Sequence, residues 1–102
     1  MSIRLHSRNV SRIEWNVCLC GSAKMDAVLE FLQKHSAELG FWTDEAEYHA
    51  EIQNPENLPR LVHAETFPDN LSRGEIDEVK AFLLGCYENS KRTGGVAYLD
   101  AF

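Results

Sequence analysis

Between His35 and Pro59 the chain has no lysine and no arginine, while six carboxylates (Glu38, Asp44, Glu45, Glu47, Glu51 and Glu56) fall in the same stretch. Such a balance argues against general binding to nucleic acid, whose phosphates select for Lys and Arg. Other features are missing as well. No apolar run is long enough for a signal peptide or a membrane span, so a cytoplasmic location is expected. Three cysteines (Cys18, Cys20, Cys86) form an odd set and exclude the paired framework of a small secreted domain. Without a secretory signal, the Asn9-Val10-Ser11 and Asn70-Leu71-Ser72 sequons read as chance matches. There is no Gly-rich phosphate loop, no nucleophile elbow and no recognised metal-ligand spacing. No catalytic residue, metal or cofactor is therefore expected.

What is present suffices for one domain. A chain of 102 residues can bury a core but not two. Trp15, Trp42, five phenylalanines and three tyrosines supply apolar surface enough to argue against disorder. The net charge of -6 disfavours both nucleic acid and anionic membranes, and is compatible with a basic protein partner. Arg4, Arg8 and Arg12 form a basic amino terminus, too small a charge to reverse that balance.

The periodicity reads as alternating strands and helices. Ile3 and Leu5 suggest a short edge strand or a loose arm over residues 1–11. From Arg12 to Cys20, Ile13, Trp15, Val17 and Leu19 alternate with polar positions, a strand pattern. Gly21-Ser22 breaks it, with Ser22 placed to cap a helix. That helix runs to about Leu39, on a stripe of Met25, Val28, Leu29, Leu32, Ser36 and Leu39, and Gly40 suits its carboxyl-terminal cap.

Over 43–53, Ala46, Tyr48, Ala50 and Ile52 alternate with Glu45, Glu47, His49 and Glu51, which predicts a strand with one acidic face. Thr43-Asp44-Glu45 is also a fair helix start, so a helix stands as the alternative. After the turn at Asn54–Pro59, Arg60–Phe67 reads as a further strand. Ser72 and Glu75 form a capping box ahead of Ile76, Val79, Phe82, Leu83, Cys86 and Tyr87, a second helical stripe. Gly94-Gly95 turns the chain into a last strand, Val96–Phe102. The expected class is α+β, a ferredoxin-like βαββαβ sandwich with two helices on one face of an antiparallel sheet.

Chemistry-bearing residues are sparse. Cys18 and Cys20 stand just before a helix start, where amide dipoles favour thiolate. The strand–cysteine–turn–helix layout is similar to that of phosphate-cradling cysteine phosphatases, which need an arginine six positions after the cysteine. Lys24 follows Cys18 and Asp26 follows Cys20 at that distance, so the match fails and both read as small buried hydrophobes. His49, with Glu47 and Glu51 beside it on a strand face, would hold a raised pKa. Zinc would accept a mixture of His49, Glu51, a cysteine and His63, yet no ligand spacing supports it.

The expected site is a partner-binding surface of Trp42, Asp44, Glu45, Glu47, His49 and Glu51, docking a basic protein. Small inhibitors and immunity-type proteins present such surfaces to toxins and nucleases, with carboxylates in place of phosphate. The alternatives are a homodimeric small-molecule-binding or enzymatic domain using His49 or a cysteine, and an accessory subunit with no activity of its own.

Overall fold

Local sequence explains most elements of the computed structural model, which describes residues 4–8, 15–44 and 49–101. Strands β1 (Arg4–Arg8) and β2 (Trp15–Cys20) lead into helix α1 (Ser22–Lys34) and a single turn, α2 (Ser36–Leu39). Strands β3 (Phe41–Thr43) and β4 (His49–Ile52) follow. A 3-10 turn at Pro55–Asn57 then enters helix α3 (Leu58–Ala64), and helix α4 (Arg73–Ser90) precedes strand β5 (Ala97–Ala101). Among the described residues no helix is long and apolar enough to cross a membrane.

The capping box opens α4 as its sequence predicts. Ser72 Oγ accepts from the Glu75 amide at 3.2 Å, and Glu75 Oε1 accepts from the Ser72 amide at 3.0 Å. The second bond holds the Glu75 carboxyl below its usual pKa. Val79, Phe82, Leu83 and Cys86 of this helix are buried, with Ile76 and Tyr87 packed beside them. On α1, Ala27, Val28, Phe31 and Leu32 are buried. The helix breaks at His35, so Ser36 leaves the stripe and is exposed. Gly21, not Ser22, occupies the N-cap of α1. Gly40 ends α2 with φ 60° and ψ 44°, the left-handed conformation that glycine adopts at low cost.

Five antiparallel strands form one sheet in the order β2-β1-β5-β4-β3. α4 lies across β1, β2 and β5, and α1 packs on α4 and β2. The core lies between these helices and the sheet face carrying Leu5, Ala50, Ile52, Ala97 and Leu99. A buried polar contact joins the layers, where Asn89 Nδ2 donates to Ser7 Oγ at 3.0 Å. The architecture is α+β.

Several expectations change. The order of elements is not βαββαβ, because two strands precede α1 and two helices separate β4 from β5. β1 is not an edge strand but lies between β2 and β5. Residues 58–64 are helix α3 rather than a strand beginning at Arg60. There the buried side chains are Leu58, Leu61 and Val62, a spacing of three and four, and Pro59 sits in the first turn, where its missing N–H costs nothing. The acidic segment contributes two strands instead of one, with β3 ending at Thr43 and β4 beginning at His49. Within β4 the predicted alternation holds, with Ala50 and Ile52 buried and His49 and Glu51 half-buried. Residues 9–14 and 45–48, including Glu45 and Glu47 of the expected site, lie outside the described residues.

Candidate interaction surface on the sheet face opposite the core

Period two decides which side chains leave the core. Ala50, Ile52, Ala97 and Leu99 face the helices, so their neighbours His49, Glu51, Tyr98 and Asp100 take the opposite face. The antiparallel register then gathers residues far apart in sequence. Trp42 pairs with Glu51, and Glu51 with Tyr98, in one transverse row. His49 pairs with Asp100 in the adjacent row, and the backbone of His6 on β1 pairs with Asp100 from the other side.

At the centre of this group is the His49 imidazole. Its Nδ1 lies 2.9 Å from Asp100 Oδ1 and its Nε2 lies 3.0 Å from Glu51 Oε2. Trp42 meets the ring edge-on at a centroid distance of 6.1 Å, and Tyr98 lies nearly parallel to it at 6.4 Å. Partial burial works against a charge on His49. The bonds from Asp100 and Glu51, and their negative charges, outweigh it and raise the imidazole pKa above its ordinary value. The backbone below is pinned, since Thr43 Oγ1 and the Asp44 amide both donate to the His49 carbonyl, each at 3.1 Å. Glu51 Oε1 accepts from Gln53 Nε2 at 3.1 Å. The cluster is thus held in place by hydrogen bonds within the sheet.

Trp42 has no such support. It is 52 % exposed on the edge strand β3, in contrast to the core phenylalanines. Of the residues expected at the site, Trp42, His49 and Glu51 come together on this face, and Asp44 follows at the end of β3. Sequence reasoning missed Asp100 and Tyr98. Their signal is the alternation of β5, but nothing local says that β5 lies beside β4.

The other candidates lie elsewhere. Cys86 is buried on α4, and burial pushes its thiol pKa up to about 12, so it is a packing residue. His63 sits exposed on α3, on the helical side of the sheet. Cys18 and Cys20 lie on β2 at the far edge of the sheet, two strands from β4's neighbour β5. No group of three or more His, Cys, Asp or Glu suited to a metal ion occurs among the described residues. A polar cleft of about 350 Å³ at the start of α1, and a more apolar one of about 300 Å³ between α3 and α4, are lined by residues of the helical layer. The His49 cluster belongs to neither and is a surface feature. Comparison of this chain with protein-family models, with curated proteins and with solved structures finds no match.

Proposed function

We propose that this chain is a protein-binding module that docks a basic partner through the sheet face opposite the core, around Trp42, Asp44, His49 and Glu51, with Tyr98 and Asp100 added. Inhibition of a basic toxin or nuclease in the cytoplasm, in the manner of an immunity protein, is the specific form of that function. The observation that carries the reading is Trp42, an indole half exposed on strand β3 at the position paired with Glu51. Tryptophan is enriched at the centres of protein interfaces, where its large rigid surface binds with little loss of side-chain entropy.

Charge supports the same reading. The net charge of -6 would steer a basic partner toward the protein, with the carboxylates of Glu51 and Asp100 at the point of docking. The hydrogen bonds through His49 hold both acids in place, which lowers the entropy lost on binding.

The test is native mass spectrometry of the untagged protein isolated from its own source, followed by affinity measurement with the Trp42→Ala and Glu51→Lys variants. A heterocomplex with a basic protein is expected, weakened at least about tenfold by either substitution, as for an interface hot spot. A homodimer alone, or a heterocomplex indifferent to both substitutions, would replace this reading.

A further inference from the structure

We propose that the His49 cluster is a guanidinium-recognition site, in which an arginine of the partner stacks on Trp42 and takes the Glu51 carboxylate that His49 holds in the free protein. The inference rests on the docking function proposed above and names the chemistry of the anchoring side chain.

The geometry points to a planar cation because the site is arranged to hold one. A protonated imidazole is flat, delocalised and has two N–H donors. Here those two nitrogens lie 2.9 and 3.0 Å from carboxylates of different strands, with Tyr98 stacked on the ring and Trp42 edge-on to it. These are also the features by which proteins hold arginine, namely carboxylates met in the plane of the fork and an aromatic face beside it. A lysine ammonium is a strongly hydrated point charge that gains less from either feature.

Proton bookkeeping makes the site exchange one cation for another. With His49 protonated, the group of His49, Glu51 and Asp100 carries one net negative charge, and with His49 neutral it carries two. Neutral imidazole keeps a single N–H. Retained on Nδ1 for the more buried Asp100, it leaves the Nε2 lone pair 3.0 Å from Glu51 Oε2. Two acceptors at that separation repel one another, and one edge of a guanidinium, which presents N–H donors side by side, relieves this by taking the Glu51 carboxylate. Among the described residues, the charged and titratable groups around the ring include Glu51 on β4, Asp100 and Tyr98 on β5, and Asp44 after β3, and the backbone of His6 on β1 pairs with Asp100. Arginine binding and His49 protonation therefore compete, and affinity rises with pH.

The experiment is a nuclear magnetic resonance titration of the isotope-labelled protein with acetyl-Gly-Arg-Gly-amide, at about pH 5.5 and about pH 8.5, on either side of the ordinary imidazole value. Lysine and citrulline versions of the peptide are run in parallel. The indole N–H of Trp42 is assigned from a Trp42→Phe variant. The arginine peptide should shift that signal and bind about fivefold more tightly at the higher pH, the effect of one further unit charge near contact distance in water. It should also lower the His49 pKa, read from the imidazole carbon shifts, and Glu51→Gln should abolish both effects in a protein whose other signals are unchanged. Equal binding of the arginine and lysine peptides, independent of pH, would overturn the guanidinium site while leaving basic docking intact. Equal binding of the citrulline peptide, or no binding of the arginine peptide, would also overturn it, and the docking reading would then be decided by the capture of its partner.

Discussion

The contact between His49 and Glu51 has a worth that must depend on pH, and a double-mutant cycle measures it. His49→Ala, Glu51→Ala and the double variant are unfolded in urea at about pH 5.5 and about pH 9 under reducing conditions. Both side chains are 28 % exposed and their polar atoms are 3.0 Å apart. Solvent-exposed pairs couple by roughly 0.2–1 kcal/mol, and charge-assisted bonds out of water by roughly 1.5–3 kcal/mol. This half-buried pair lies between them, so a coupling of about 1 kcal/mol is expected at the acidic pH. With a urea slope of about 1–3 kcal/mol per molar, that is a midpoint shift of roughly 0.3–1 M not explained by the single variants.

The sign at higher pH follows from the raised pKa of His49. A group whose folded-state pKa exceeds its unfolded value contributes fully below the unfolded value, about 6.5 for imidazole, and the contribution is lost as pH rises through the folded value. Once pH has risen through the folded-state value, the single remaining N–H stays with Asp100, the less exposed acid at 15 %, and the coupling to Glu51 falls to zero or becomes slightly repulsive. Circular dichroism across the urea transition provides the readout. A coupling as large at the basic pH as at the acidic one would refute the charged, two-bond picture of His49.

Two further outcomes test the fold that carries the site. Gly40→Ala places a methyl group 2.9 Å from the Gln53 side chain at a residue with φ +60°, and should cost about 1–2 kcal/mol in the same urea assay; an unchanged midpoint would contradict the cap geometry. Cys86, buried beneath the sheet with its thiol pKa near 12, should resist alkylation in the native protein and react once it is unfolded, as read by peptide mapping; rapid native labelling would contradict that burial.

Part of the candidate site was legible before any coordinates. The alternation of His49 and Glu51 with Ala50 and Ile52 follows from the strand period alone, and it placed the acid and the imidazole on one face. Trp42 stood out by its position beside the acidic block. The capping box at Ser72, the stripe of α4 and the left-handed Gly40 were equally readable, because each depends on residues within a few positions of one another. Residues 58–64 misled for a related reason. Over so short a span Val62, Ala64 and Thr66 satisfy a period of two while Leu58, Leu61 and Val62 satisfy a spacing of three and four, and packing of the latter three into the core selected the helix.

Strand order was beyond any local pattern. That β5 pairs with β4, and β1 with β5, is a choice among non-local arrangements made by burying the apolar face of Leu5, Ala50, Ile52, Ala97 and Leu99 in one core with the helices. That choice brought Asp100 and Tyr98 to His49 across some fifty residues of chain. The sequence by itself determined that this protein is an acidic α+β chain with an acid-bearing strand and a conspicuous tryptophan. Tertiary structure decided that the histidine between those acids is bonded by two carboxylates, because the second one is supplied by a strand that only the closed sheet sets alongside it.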